Sequence, residues 1–388
     1  MTLVLDGNQR SALAVTRSLG RRGVPVYVAD ESRNSLAGAS RFCAGRVVYP
    51  SPRFEPEAFI ATLRRTAEEL GICVLFPMTD LSLEVVLRHR DALGPLSIPC
   101  PPLESFLTLS DKWSLSALAQ CLSIPTPRTR LVTKENELLQ TVRSFATPTV
   151  LKAVRSWTVG NGSSGSSRIH YVNSPAQLEN ELSSGAFKPP FPVLVQERIM
   201  GQGQGVFALY DRGQAVLFFA HRRVREKPPS GGVSVVSESI PVSPRLERFT
   251  RALLDAVGWH GVAMAEFTVA PDGAPFLIEV NGRFWGSLQL AVEAGVDFPW
   301  LLYQIAIGKE LDEPRPYRYG IRCRWLLGDL DHLYLRLASQ TSLHQKWEAI
   351  RDFIRPSGPW TRHEVNRLDD LGPFIFELQH YFLSIFRS

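Results

Sequence analysis

The 388-residue sequence is poor in cysteine: Cys43, Cys73, Cys100, Cys121 and Cys323 lie too far apart to make a CxxC pair. That spacing suggests neither a zinc knuckle nor a disulfide framework, so most of the thiols read as small buried hydrophobes. No apolar run approaches the roughly 20 residues of a membrane span. The chain opens into a strand without a basic-then-apolar leader, which makes a soluble, cytoplasmic protein the expectation. A large excess of one charge is also missing, because 43 Lys and Arg stand against 38 Asp and Glu, a net +5. Such a mild, dispersed excess slightly favours anionic small ligands and demands no nucleic acid. Two phosphate-binding signatures are absent as well. The first turn reads Gly7-Asn8-Gln9-Arg10-Ser11-Ala12 rather than G-x-G-x-x-G, which argues against a dinucleotide and makes Asp30 a loop or cap residue. The run Gly160-Asn161-Gly162-Ser163-Ser164-Gly165 is followed by Ser166, where a Walker A loop has lysine. No Ser/His/Asp or Cys/His nucleophile arrangement stands out.

What is present is 44% hydrophobic residues, enough to build two or three subdomains. Residues 2–6, 9–22 and 24–29 read as strand, helix and strand, and 56–70, 72–77, 81–93 and 97–100 continue the alternation. This predicts a small open parallel sheet with a ligand crevice at its strand ends, near Gly7 and Thr79-Asp80. Ser110 or Asp111 can cap a helix over 112–122, and 148–153 reads as a strand ending in Lys152. The following Gly/Ser-rich stretch, 156–168, could offer N–H groups and hydroxyls to phosphate oxygens. A strand over 193–199 carries Gln196-Glu197 near its end, and 206–220 reads as a strand pair turning at Asp211-Arg212-Gly213. Taken alone, the basic run 221–227 is a solvated face. Helices over 246–257, 286–295 and 298–307, a strand over 321–327, and helices over 330–338, 343–354 and 373–386 complete the pattern, with the C-terminal aromatics expected to pack on the body.

The most informative stretch is 263–286, AMAEFTVAPDGAPFLIEVNGRFWG, a hairpin that should turn at Asp272-Gly273. Pairing symmetric about that turn sets Glu266 opposite Glu279. Alternation then gives Ala263, Ala265, Phe267, Val269, Phe276, Ile278 and Val280 to a core face, and Met264, Glu266, Thr268, Leu277, Glu279 and Asn281 to the other. Facing carboxylates roughly 4.5–5.5 Å apart at Cβ repel unless a cation lies between them. Oxygen-only donors suit Mg²⁺ or Mn²⁺ better than zinc. A solvated face whose acids meet Lys or Arg is the other reading of the same pair, and Pro271 and Pro275 leave room for a bulge that would shift the register.

Lys112, Lys152 with its Gly/Ser loop, Gln196-Glu197-Arg198-Ile199, and Glu266 followed by Glu279-Val280-Asn281-Gly282-Arg283 occur in one order. The ordered set resembles the ATP-grasp superfamily over roughly residues 1–310, especially carboxylate–amine ligases related to the carbamoyl-phosphate synthase and biotin carboxylase ATP domains. The resemblance implies a mixed α/β and α+β architecture with an N-terminal open parallel domain over 1–108. An ATP-grasp domain over 109–310 follows, its ATP cleft lying between a lid subdomain (about 125–200) and a catalytic subdomain (about 201–310), with a small C-terminal extension over 311–388.

By position, the resemblance assigns ATP phosphates to Lys112 and Lys152, with Gly160, Gly162, Ser163, Ser164 and Gly165 folding over them. Adenine falls to Gln196, Glu197, Arg198 and Ile199, and the ribose to the neighbourhood of Gln204, where the family carries an acid. Glu266, Glu279 and Asn281 hold magnesium in this reading, and Arg283 meets the transferred phosphate or acyl phosphate. Arg222, Arg223 and Arg225 with Gly231-Gly232 resemble a substrate-facing loop, so Arg225 joins Arg283 and Lys152 as a catalytic candidate. The implied reaction uses ATP to turn a small carboxylic acid into an acyl phosphate, which an amine, often an amino acid, then attacks. Carboxylation through carboxyphosphate and a non-catalytic nucleotide sensor are the alternatives. The implied partners are small molecules rather than nucleic acid or membrane, and a homodimer is the assembly such relatives suggest.

Overall fold

Alternating apolar strands and amphipathic helices build three sheets in the computed structural model, which describes residues 1–155, 169–189, 191–311, 316–355 and 361–385. The first comprises β1 (Thr2–Val4), α1 (Arg10–Arg21), β2 (Val26–Asp30), β3 (Cys43–Val48), α2 (Pro56–Leu70), β4 (Val74–Phe76) and α3 (Asp80–Arg88), with parallel strands in the order β3-β2-β1-β4. Residues in β3 alternate only between half-buried and exposed, so its sequence carries too weak an apolar pattern to predict it. The strand expected at 97–100 reduces to one bridge between Ser97 and Val74. Asp30 accepts hydrogen bonds from Asn8 N (3.0 Å), Asn8 Nδ2 (3.1 Å) and Ser32 N (3.0 Å), which ties the loops at the sheet edge.

Helix α4 (Leu103–Ser110) leads to α5 (Lys112–Cys121), whose N-terminus is capped by the Asp111 carboxylate accepting from Trp113 N and Ser114 N. The second sheet is antiparallel, with β5 (Thr129–Val132), β6 (Thr149–Ala153), β7 (His170–Val172) and β8 (Val193–Glu197) in the order β5-β8-β6-β7. Helices α6 (Glu135–Arg143) and α7 (Pro175–Ser183) bury Leu138, Val142 and Leu178 against it.

The third sheet carries the acidic hairpin. Its strands are β9 (Gln202–Asp211), β10 (Gln214–Lys227), β11 (Val233–Ile240), β12 (Gly261–Val269), β13 (Pro275–Asn281), β14 (Arg322–Arg324) and β15 (Thr361–His363), in the order β13-β12-β9-β10-β11-β14-β15. The strand pair expected over 206–220 is longer at both ends, and β10 takes in the whole basic run. One face packs on α8 (Pro244–Ala256) and Trp259 through Ala263, Ala265 and Phe267. The other packs on α1, α9 (Leu288–Ala294) and α10 (Phe298–Ala306) through Phe207, Phe219 and Met264. A strand buried on both faces loses its two-residue polar alternation, which is why these lengths are hard to read from sequence.

Helices α11 (Leu326–Ala338), α12 (Leu343–Ile354) and α13 (Gly372–Ile385) form the C-terminal part. Phe374 and Phe376 pack on the core, whereas Trp347 and Phe382 are exposed, so the C-terminal aromatics meet the body only in part. No described helix is long and apolar enough to cross a membrane. The segment before α13 clamps α1. Arg17 Nε donates to Asp370 Oδ2 at 2.8 Å, its other arms reach the carbonyls of Glu364, Val365 and Asp370, and Ser40 Oγ and Arg41 N also donate to Asp370. Both side chains of the Arg17–Asp370 pair are 1% exposed. Asp370→Ala is therefore expected to lower the unfolding free energy by about 3–5 kcal/mol, because it strands a buried guanidinium. Urea unfolding checks this, and a loss below about 1 kcal/mol, the range of an exposed pair, would contradict it.

Candidate active site in the cleft above the acidic hairpin

Strands β12 and β13 pair with Glu266 opposite Glu279 and Met264 opposite Asn281. Nearer the turn the register slips by one, so that Phe267 faces Leu277 and Thr268 faces Phe276, leaving Ile278 as the bulged residue. The chain reverses through 270–274, a longer loop than the Asp272-Gly273 dipeptide, with Ala270 N bonded to Ala274 O and Gly273 at φ +84°. The bulge exchanges two residues relative to strict alternation. Leu277 lies 2% exposed in the core on the α8 side, and Ile278 lines the cleft beside Glu279. Such a bulge bends the strand and re-aims side chains, here at the acidic end.

The acids lie in the wall of a cavity of about 570 Å³. Lys112 at the start of α5, Lys152 near the end of β6, Gln196, Glu197, Arg198 and Ile199 around the end of β8, and Glu266, Glu279, Asn281 and Arg283 all line it. Two expected residues do not. Gln204 sits in β9 between Arg222 and Phe267, away from the lining, and Arg225 is turned out of the cleft. Its guanidinium holds Asp329 through Nε (2.6 Å) and Nη2 (2.7 Å), which locks β10 onto α11. Gly160, Gly162, Ser163, Ser164 and Gly165 lie outside the described residues.

The basic run proves to be a set of ion pairs rather than a solvated face. Arg222 pairs with Glu238, Arg223 with Glu226 and Glu266, Arg225 with Asp329 and Lys227 with Asp331. Arg223 is the member that enters the cleft, and Gly203 makes room for it: a Cβ there would stand 2.9 Å from Arg223 Cδ. Arg283 is held from two directions, donating to Asp80 Oδ2 through Nε (3.2 Å) and Nη2 (3.0 Å) and to Asn281 Oδ1 through Nη2 (3.2 Å). Asp80 starts α3, so the parallel sheet's crevice and the hairpin meet at this arginine.

The electrostatics separate the two acids. Burial pushes Glu266 above the usual carboxylate range; Arg223 opposes this, and repulsion from Glu279 adds to it. Burial acts on Glu279 in the same sense, but Lys112, Lys152, Arg223 and the Asn281 amide together outweigh it and hold that carboxyl below its usual range. Asn281 Nδ2 bridges the pair, 3.2 Å from Glu266 Oε1 and 3.3 Å from Glu279 Oε1. Burial lowers the Lys152 ammonium, with Glu279 opposing and Lys112 reinforcing. Burial disfavours charge on Arg283 too, and Asp80 more than restores it.

Arg10, His221, Arg223, Trp285 and Ser287 also line the cavity, and only the Arg222–Arg225 cluster had a sequence signal pointing to it. His221 is 1% exposed, its Nδ1 is 3.3 Å from Ser287 Oγ, and burial pushes its pKa down to about 3. An unfolded imidazole titrates near 6.5, so between pH 6.5 and 3 the unfolded chain binds the extra proton and stability falls as pH falls. The wild type is expected to lose about 2 kcal/mol more than His221→Gln between pH 7 and 5. Parallel pH dependences of the two proteins in denaturant unfolding would contradict this.

Residues 190–328 match the family model described as ATP-grasp in the biosynthetic pathway with Ter operon. The carbamoyl phosphate synthase large chain of Thermotoga sp. (strain RQ2) is 24% identical over 275 residues, which is 67% of this chain and 24% of that protein, so the chain spans about a quarter of its relative's length. An L-amino acid ligase from Bacillus licheniformis superposes with a TM-score of 0.62 at 18% identity, covering 79% of this chain and 74% of that one. The biotin carboxylase domain dimer of 2-oxoglutarate carboxylase from Hydrogenobacter thermophilus, solved with MgADP, ADP and bicarbonate, superposes with a TM-score of 0.63 at 15% identity, covering 83% and 73%. The chain has the ATP-grasp fold, and its residues 190–328 match an ATP-grasp family model.

Proposed function

We propose that this chain is an ATP-dependent ligase that activates a small carboxylic acid as an acyl phosphate and passes the acyl group to an amine, releasing ADP and phosphate. The observation that carries the reading is the meeting of Glu266, Glu279 and Asn281 with Lys112, Lys152 and Arg283 in one cavity. Phosphoryl transfer needs positioned charge rather than an enzyme nucleophile, and this set supplies cations for the phosphoryl oxygens and acids for a metal.

The donor set fits magnesium, or manganese: it is all oxygen, paired across a strand, and the two acids raise each other's cost of ionising until a cation arrives. Among the described residues no group of three or more His, Cys, Asp and Glu could hold a metal. Glu266, Glu279 and Asn281 would hold such an ion, which would supply positive charge to offset that of the phosphates. Lys112 and Lys152 would hold phosphate oxygens, and Gln196 to Ile199 would border the adenine. Arg283, anchored by Asp80, would stay aligned with the phosphoryl group as it moves to the acid. Arg223 replaces Arg225 in this scheme as the cleft arginine of the basic run.

The test is a panel of paired acids and amines assayed for ADP release with mass detection of the conjugate, bicarbonate included among the acids. A conjugate formed in step with ADP supports the ligase. ADP that depends on bicarbonate alone would move the reading to carboxylation, and nucleotide binding without ADP across the panel would leave a sensor.

A further inference from the structure

Helix α12 is held on the body by its ends and one edge, and it buries none of its residues completely. Ser342 caps its start: Oγ accepts from Gln345 N at 3.3 Å, and Gln345 Oε1 accepts from Ser342 N at 3.1 Å. Near its end, Arg225 Nη1 donates to the Asp352 carbonyl at 3.2 Å, and the Arg324 guanidinium lies 4.3 Å from the centre of the Phe353 ring. The helix is thus formed and fixed, which its 12 residues would scarcely achieve alone in water. Its outer side is apolar all the same. Leu343, Trp347 and Ile354 are 78%, 69% and 71% exposed, and the half-buried Ile350 completes a run spaced four, three and four residues apart.

That spacing is a heptad seam, with Leu343 and Ile350 at d and Trp347 and Ile354 at a. At the helical turn angle the four side chains fall within an arc of about 60°, narrower than the apolar face of a helix laid on a broad surface and suited to one facing helix. The flanks set the charge of that helix. Positions e and g hold His344, Arg351, Lys346 and Phe353, which are basic or aromatic, with no acid among them. Glu348 and Asp352 lie behind, at b and f. Glu348 stands 3.7 Å from His344 and 3.9 Å from Arg351, and Asp352 stands 3.6 Å from Arg351, exposed pairs too long for hydrogen bonds and weak in water. A second α12 on the seam would set like charges against each other. We propose that α12 is a docking site for one amphipathic helix of another protein, whose own a/d seam is flanked by Glu or Asp. Trp347 anchors the contact, and His344 and Arg351, both exposed along one edge, select the acidic partner.

The experiment titrates the full chain against two fluorescein-labelled peptides of about four heptads, long enough to form a helix. Both carry Leu at a and d; one has Glu and the other Lys at every e and g, so that each repels its own copies. Anisotropy reads binding. The Glu peptide is expected to bind at least about 10-fold tighter than the Lys peptide at low salt, with the margin shrinking as salt rises. Trp347→Ala should weaken the Glu peptide about 30-fold or more, the scale of an interface anchor. The double variant His344→Glu, Arg351→Glu should reverse the preference toward the Lys peptide. Because all three side chains are exposed, both variants should melt within a few degrees of wild type. No saturable binding of the Glu peptide up to about 1 mM, equal binding of the two peptides, or binding indifferent to Trp347→Ala would overturn the proposal. Two further outcomes would replace it. Sedimentation showing self-association that Trp347→Ala abolishes would make the seam a contact between copies of this chain. Pelleting with phosphatidylserine–phosphatidylcholine vesicles, in the absence of Glu-peptide binding, would make it a lipid-surface helix.

Discussion

Glu279→Gln is expected to reduce substrate-dependent ADP release by about 10³-fold or more, about 4 kcal/mol of barrier. The Glu279 carboxyl is the acid that Lys112, Lys152 and Arg223 keep charged against its own burial, so it is the one ready to meet a cation without first giving up a proton. Glutamine keeps the shape and an oxygen for the Asn281 amide but removes the charge. The fold should survive, since relief of the repulsion with Glu266 offsets the lost attraction to the lysines. The measurement is ADP release beside thermal unfolding: a melting point within a few degrees of wild type with activity gone is the expected pair of results. Unchanged turnover would remove Glu279 from the metal site.

Arg283→Lys should cost about 10²–10³-fold in kcat, the scale of removing one positioned donor from a site of developing charge, with a much smaller change in the KM of ATP. The lysine retains the positive charge beside Asp80, so the buried ion pair is kept in kind and stability is largely spared. What goes is the fork: Arg283 spans Asp80, Asn281 and the Phe284 carbonyl with three different nitrogens, and one ammonium cannot span the same partners in that plane. Single-turnover phosphoryl transfer isolates the step. A defect that appears in the KM of ATP, with kcat preserved, would make Arg283 a nucleotide-binding residue instead.

The hairpin was legible because its two acids sit symmetrically about Asp272-Gly273, and Glu266 does face Glu279. The same symmetry misassigned Leu277 and Ile278, because a bulge at Ile278 leaves no mark in composition and shifts only the residues nearer the turn. The cleft's two lysines and the end of β8 were readable as an ordered set, although each is unremarkable alone. Arg225 and Arg223 could not be told apart from sequence, since a second bulged stretch in β10, between Arg223 and Glu226, changes which side chain faces the cleft. Arg10 and His221 were invisible for another reason. Each lies far along the chain from the acids, and only the packing of α1 and β10 around Trp285 and Ser287 brings them to the same cavity. The parallel sheet's crevice was foreseen near Thr79-Asp80, and its link to the hairpin, the Asp80–Arg283 pair, spans 203 residues of sequence.

The central claim is that a carboxylate oxygen attacks the γ-phosphorus of ATP in this cleft. Turnover with the active acid labelled with ¹⁸O in its carboxyl group tests it directly, by mass analysis of the phosphate released. An acyl phosphate requires one labelled oxygen to pass from the acid to each phosphate as the amine displaces it. Conjugate accompanied by unlabelled phosphate would contradict the account.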